Sequence, residues 1–272
     1  MATLPEPPAL LAPIEGLLFD LDGVLYIGSR PVEGAAEAVA RVRGAGLPVR
    51  FVTNTSTLSR GSLHRKLRGL GFDIAPEEIL SAPEAVRLHL ESLGRPRCAL
   101  LLVEDVLQDF AGLQRADIEE AEIIVVGDIG DAWNCELLDR LFNRLMQGAR
   151  LIAVHRNRYW QTETGLRMDL GGFVAALEYC TGRTAMAMGK PSADFFRVAV
   201  AALAVPPGRC AMVGDDIDSD IGGAQAAGLN GVLVRTGKYR AEYAAASAVR
   251  PDAVIDSVRE LPGLLGCLSL SH

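Results

Sequence analysis

The chain has 272 residues, 49% of them apolar and 22% charged, a balance that supports a packed core and excludes disorder as the main state. Its 27 Lys and Arg stand against 34 Asp and Glu, a formal net charge of −7 that gives no overall cationic field for nucleic acid or an anionic membrane surface. No apolar run approaches the ~20 residues that a transmembrane helix needs. The proline-rich start MATLPEPPALLAP lacks the basic segment of a secretory signal and reads as a frayed leader.

Short apolar runs then alternate with helical patterns. GLLFD (Gly16–Asp20) is a compact strand ending in a carboxylate. Residues 35–45 have Val39 and Val42 three apart, with Gly44 and Gly46 as a stop signal, which predicts a helix. PVRFVT (48–53) is a second strand. Residues 60–70 carry Leu63, Leu67 and Leu70 at helical spacing, closed by Gly71. Residues 81–184 run through a series of their own: helix, CALLLV, helix, EIIVVGD, helix, RLIAVH, loop, helix. Residues 192–203 predict a helix through Phe195, Phe196, Ala199 and Leu203, ending before Pro206 and Pro207. CAMVGD (210–215) and GVLVR (231–235) complete the strands. The alternation predicts an α/β protein with a mostly parallel sheet flanked by helices and a second unit in the middle.

Charge is segregated within that middle unit. Between Glu104 and Glu136 there are ten acidic residues and one basic; between Arg140 and Arg167 there are six arginines and one acid. Two solvated faces, or a rim that screens anionic ligands, both fit this pattern. The five cysteines (Cys98, Cys135, Cys180, Cys210, Cys267) are odd in number and far apart, and are expected as reduced, buried thiols in a cytoplasmic protein.

The chemistry-bearing residues collect at strand ends, where open parallel sheets bind ligands. Asp20 ends the first strand, and Asp22 follows two residues later on the same side of an extended chain, before the turn-permitting Gly23. Two carboxylates so close suit a nucleophile and a general acid/base; the alternative is an Asp-Gly turn with a solvated neighbour. Asp215, Asp216, Asp218 and Asp220 cluster after a later strand. Some of them cap a helix, yet four exceed what capping requires, and their repulsion at one sheet end calls for a cation. Asp20 with Asp215 reads as a hard-cation site, with oxygen-only donors favouring Mg²⁺ over zinc. Thr53, Asn54 and Thr55 offer donors for a phosphoryl oxygen, or form an ordinary capping loop. Lys190, before a helix start, reads as an anion partner or as a solvated surface lysine.

DLDGV, FVTNT, GKPS and VGDDIDSD, in that order, resemble the four motifs of the haloacid dehalogenase (HAD) superfamily of phosphohydrolases across nearly the whole chain. The long insert resembles a C2-type cap of the NagD-like branch. This resemblance implies a Rossmann-like core from residues 1–80 and 185–272, with an α/β cap domain at 81–184. It implies Mg²⁺-dependent hydrolysis of a small phosphorylated metabolite through an aspartyl-phosphate. Asp20 would be the nucleophile and Asp22 the acid/base, its backbone carbonyl joining the Asp20 and Asp215 carboxylates on Mg²⁺. Asp220 would occupy the second acidic metal-site position, and Thr53, Asn54, Thr55 and Lys190 would hold the phosphoryl group. The family's Asn-x-Asp element is replaced here by His155-Arg156-Asn157. Residues His155, Arg156, Asn157, Arg158, Tyr159 and Trp160 gather cations and aromatics after a strand and are candidates for leaving-group selection; the alternative is cap-core aromatics with solvated arginines. A homodimer through the cap is expected from related capped phosphatases, and neither a nucleic-acid nor a membrane partner is expected. The rival from another class is a phosphate-binding or phospho-accepting regulatory protein without turnover, which the second acid and the large insert disfavour.

Overall fold

The computed structural model describes residues 13–162 and 165–266, with the side chains of 160–162 and 166 excepted. The proline-rich residues 1–12, Cys267 and His272 lie outside the described residues. In chain order the strands are β1 (Gly16–Asp20), β2 (Tyr26–Ile27), β3 (Arg30–Pro31), β4 (Val49–Thr53), β5 (Ile79–Ser81), β6 (Cys98–Leu101), β7 (Ile123–Val126), β8 (Arg150–Ala153), β9 (Tyr159–Thr162), β10 (Gly165–Met168), β11 (Met186–Ala187), β12 (Cys210–Gly214), β13 (Asn230–Val234) and β14 (Ala253–Ile255). Contacts divide the chain into two compact units. One takes the segments up to Thr53, His64–Leu80 and from Lys190 on; the other takes Asn54–Leu63 and Ser81–Gly189.

The first unit holds a six-stranded sheet in the order β14-β13-β12-β1-β4-β5. Central β1 pairs in parallel with β12 on one side and β4 on the other, and all five of its residues are buried. Burial on both faces explains its unbroken apolar sequence. Phe19 lies opposite Phe51 in register, their rings stacked at 5.7 Å, and Phe19 is also opposite Val213. That register sets the carboxyl ends of β1, β4 and β12 side by side, bringing Asp20, Thr53 and Asp215 to one edge of the sheet. Helix Ala35–Gly44 buries Ala35, Ala38, Val39 and Val42, the spacing of one helical face. Helix Ala193–Ala201 buries Phe195, Phe196, Ala199 and Val200.

The second unit has its own four-stranded parallel sheet, β11-β8-β7-β6, and an antiparallel hairpin, β9-β10. The hairpin replaces the loop expected before helix Leu170–Thr181. Residues such as Tyr159 and Thr162 suit a strand, and Gly165, at φ +127, supplies the backbone freedom to start the return strand. Residues 54–63 join this unit although the sequence pattern placed them with the first. The N–H groups of Ser59 and Arg60, at the start of helix Arg60–Gly69, donate to Asp105 Oδ2 at 2.6 Å and Asp109 Oδ2 at 2.7 Å. The segregated charges also find each other. Arg140 pairs with Glu119 at 2.8 Å and Arg167 with Asp131 at 2.9 Å, both pairs exposed to solvent, so the acidic and basic runs meet at these two points. Cys98 and Cys210 are buried thiols as expected, but Cys135 and Cys180 are exposed. The helix from Cys135 to Met146 buries Leu141 and Leu145 near its far end, and Cys180 lies past the Leu170, Val174 and Leu177 stripe of its own helix. No helix among the described residues is long and apolar enough to cross a membrane.

Candidate active site

The site lies in the first unit, where β1, β4 and β12 end. Asp20 is 6% exposed, and its Oδ1 lies 2.6 Å from Lys190 Nζ. The same ammonium lies 2.6 Å from Asp220 Oδ1. Burial works against the charged lysine, but Asp20 and Asp220 outweigh it and raise its pKa, so Lys190 stays protonated. The sequence left a solvated surface lysine as an alternative; the structure buries it.

Asp220 reaches Lys190 because the chain after β12 makes a wide turn over Ile217–Gly222, in which the N–H groups of Asp220 and Ile221 both point to the Asp216 carbonyl at 3.0 and 3.3 Å. Gly214 makes room for it: a Cβ there would lie 2.3 Å from that of Asp220. Asp220 Oδ2 accepts the N–H groups of Asp215 and Asp216, each at 3.1 Å. Asp216 Oδ1 accepts those of Asp218 and Ser219, each at 3.0 Å, which gives Asp216 a capping role. Asp218 accepts the Tyr243 hydroxyl. Two of the four clustered acids therefore face the site, while Asp216 caps the turn and Asp218 pairs with Tyr243.

Asp215 is gripped from two sides. Its Oδ2 accepts the Lys238 N–H at 2.6 Å. A Cβ on Gly23 or on Gly237 would lie 1.9 or 2.0 Å from the same oxygen, and both glycines have positive φ, +91 and +62. Thr236 Oγ1 donates to the Gly23 carbonyl and ties the two glycine loops together. Thr236, Gly237 and Lys238 are site residues that the strand-end reading passed over. The signal was available, since TGK begins two residues past the end of β13, the neighbour of β12.

The other Asp215 oxygen, Oδ1, is buried without a hydrogen-bond partner. Carboxylate oxygens of Asp20, Asp215 and Asp220 lie within 4.8 Å of one another. Burial, together with the neighbouring Asp20 and Asp220 charges, raises the Asp215 pKa well above the ordinary carboxylate range. An orphaned oxygen in an all-oxygen donor set fits a hard divalent cation, which would reverse that shift. Asp220 already serves Lys190 and two amides, so Asp20 and Asp215 are the freer ligands.

Asp22 is exposed, unlike Asp20, so the two carboxylates stand in different environments. Its charge acts on Lys66, whose Nζ sits 3.9 Å over the Tyr26 ring. Burial lowers the Lys66 pKa against the attraction of Asp22. Thr53 is buried at the end of β4. In the second unit Asn54 and Thr55 are half-buried. His155 is buried, Arg156 pairs with Glu178 at 2.5 Å, and Arg158 and Tyr159 are exposed. The Asn157 N–H donates to His155 Nδ1 at 3.3 Å. The Trp160 side chain lies outside the described residues.

Comparison with known proteins places the site residues within matches to hydrolase families. Residues 17–115 match the family described as haloacid dehalogenase-like hydrolase, and residues 187–261 match one described as HAD-hydrolase-like. Asp20, Asp22 and Thr53 fall in the first match; Lys190, Asp215 and Asp220 fall in the second. The chain is 42% identical over 230 residues to human haloacid dehalogenase-like hydrolase domain-containing protein 2, covering 84% of this chain and 86% of that protein. It is 38% identical over 262 residues to the phospholysine phosphohistidine inorganic pyrophosphate phosphatase of Rattus norvegicus, covering 94% and 95%. The solved p-nitrophenyl phosphatase from Archaeoglobus fulgidus superposes with a TM-score of 0.87 at 30% identity, over 94% of this chain and 100% of that one.

Proposed function

The chain belongs to the haloacid dehalogenase-like hydrolases, in their NagD-like branch, and from that premise we propose that it is a Mg²⁺-dependent phosphatase of small phosphorylated compounds. The observation that carries the proposal is the buried Lys190 bridging Asp20 and Asp220 beside the unpartnered Asp215 oxygen. One cation of the chain and one site for a second lie where a phosphoryl dianion would meet a carboxylate nucleophile.

An Asp20 carboxylate oxygen attacks phosphorus, the bond to the leaving oxygen breaks, and the phosphoryl group rests on Asp20 as an acyl phosphate. Asp22, exposed and therefore open to exchange with water, gives its proton to the departing oxygen. It then takes a proton from the water that attacks phosphorus and returns Asp20 and inorganic phosphate. Lys190 and the donors of Thr53, Asn54 and Thr55 hold the non-bridging oxygens, since phosphoryl transfer depends chiefly on positioning and charge stabilisation. Asp20, Asp215 and the Asp22 carbonyl would hold Mg²⁺, with Asp220 fixing their surroundings; when bound, the ion neutralises charge on the phosphoryl oxygens. The first unit is the catalytic core in this reading. The second is the counterpart of the C2-type cap, with residues 155–160 the part that selects leaving groups and a homodimer formed through the cap. A cytoplasmic, reducing setting suits the exposed thiols Cys135 and Cys180. The name of the rat relative extends the substrate range to pyrophosphate and P–N bonds.

Asp20→Asn tests the reading. The purified variant is expected to retain its fold by circular dichroism and to lose turnover of p-nitrophenyl phosphate. EDTA is expected to silence the wild type, and excess Mg²⁺ to restore it. Substantial turnover by the variant removes Asp20 as nucleophile, and EDTA-resistant turnover removes the metal.

A further inference from the structure

The second unit holds a buried cluster of Ser56, His155 and Asp169, exposed by 4%, 3% and 7%. His155 follows the end of β8. Its Nδ1 accepts the Asn157 N–H at 3.3 Å, so that nitrogen carries no proton and the ring hydrogen is assigned to Nε2. Nε2 lies 3.1 Å from Ser56 Oγ and 4.0 Å from Asp169 Oδ1. In a Ser-His-Asp triad the acid faces Nδ1, and Nε2 accepts the serine proton. Here the polarity is the reverse: Nε2–H donates toward Ser56, and this serine has no base.

Asp169, which faces the same ring nitrogen as Ser56, is itself fixed in place. Asp169 Oδ1 accepts the Leu170 N–H at 2.7 Å and caps the helix that follows, and Gly171 N–H donates to the Asn157 carbonyl at 2.9 Å. A Cβ on Gly171 would lie 2.5 Å from the Asn157 carbonyl oxygen and 2.6 Å from that of Arg156, so helix and segment pack backbone to backbone. The bare Gly189 leaves space shared by Asn54 Oδ1 and the Val154 carbonyl, each 2.7 Å from where its Cβ would stand. Residues 54–56 are thus seated on residues 154–155.

We infer that His155 is a positioning residue, which fixes the turn Asn54–Thr55–Ser56 through an Nε2–H···Oγ hydrogen bond to Ser56. The inference rests on the reading above that Asn54 and Thr55 present donors to the phosphoryl group. Buried as it is, the ring acts through Ser56.

The test compares Ser56→Ala, His155→Asn, His155→Gln and the double variant Ser56→Ala/His155→Asn. The readouts are p-nitrophenyl phosphate kinetics and competitive inhibition by inorganic phosphate, with a thermal melt of each. Glutamine can set its amide nitrogen near the Nε2 position, whereas the shorter asparagine cannot reach Ser56. Ser56→Ala and His155→Asn are expected to raise KM and the phosphate inhibition constant and to lower kcat/KM by about tenfold or more. His155→Gln is expected to recover most of that loss. The double variant is expected to be no worse than the weaker single variant, because both remove one hydrogen bond. Phosphate inhibition unchanged in Ser56→Ala overturns the inference, as does full additivity in the double variant. Ser56→Ala, the smallest change, stands alone as the test should the His155 variants fail to fold. If the wild type turns over, Asp20→Asn is dead and Ser56→Ala is indistinguishable from wild type, the positioning role alone fails. An active Asp20→Asn fails the phosphatase reading instead.

Discussion

Lys190 stands 2.6 Å from each of two carboxylates and is 4% exposed, so three charges keep one another out of water. Removing the cation leaves Asp20 and Asp220 buried without compensation. Lys190→Met is expected to lose activity and to lower the unfolding free energy by about 3–5 kcal/mol, read from urea melts. A stability equal to that of wild type would show that the carboxylates tolerate burial without it. Gly237 carries a different constraint. Its φ of +62 and the 2.0 Å approach of any Cβ to Asp215 Oδ2 leave no place for a side chain. Gly237→Ala is expected to displace Asp215, raising the Mg²⁺ concentration for half-maximal activity at least about tenfold while costing about 1–3 kcal/mol of stability. Metal titration of turnover checks the first effect and thermal melting the second.

Helix Arg60–Gly69 shows how an element depends on chain far from it. Its start is capped locally by Ser59 Oγ, which accepts the Ser62 N–H at 3.1 Å. Asp105 adds acceptors for the Ser59 N–H at 2.6 Å and the Ser62 hydroxyl at 2.9 Å. Negative charge at a helix start is favourable, and those amides have no partner within the helix. Asp105→Ala is expected to cost about 1–2 kcal/mol and to speed hydrogen exchange at residues 59–63 more than elsewhere. Arg140→Ala, which removes an exposed pair to Glu119, is expected to cost less than about 1 kcal/mol. Equal effects of the two substitutions would mean that Asp105 does not act as a cap.

Across the whole molecule, the carboxylate cluster links stability to both pH and metal. Burial and the neighbouring charges of Asp20 and Asp220 push the folded-state pKa of Asp215 up to about 8. The folded chain therefore holds a proton that the unfolded chain releases, so stability falls as pH rises between the ordinary carboxylate range and that value. EDTA-treated protein is expected to melt at a lower temperature at pH 8 than at pH 6. Excess Mg²⁺ is expected to shrink or reverse that fall, since a cation bound only by the folded state takes over the role of the proton. Differential scanning calorimetry at the two pH values, with and without Mg²⁺, reads the effect directly. A pH response identical with and without Mg²⁺ would place the cation elsewhere.

The sequence by itself determined what depends on short-range pattern. Strands buried on both faces must be continuous apolar runs, so GLLFD and CAMVG were readable, and the carboxylates at or just after their ends were readable with them. Glycine stops and helical spacing marked helix Ala35–Gly44 in the same way. The tertiary structure alone decided what depends on pairing across distance. The GKPS resemblance implied that Lys190 shares a site with Asp20, 170 residues away, but no local pattern shows that the ammonium is buried between two carboxylates. The grip of Gly23 and Gly237 on Asp215 joins three separate loops, and it exists only because register sets β1, β12 and β13 side by side. Residues 54–63 looked continuous with the strand before them, but carboxylates some 46 residues later draw their amides into the second unit. Local sequence fixes periodicity and turn chemistry within a few residues. A buried charge or a close backbone approach is fixed by what the fold brings to it.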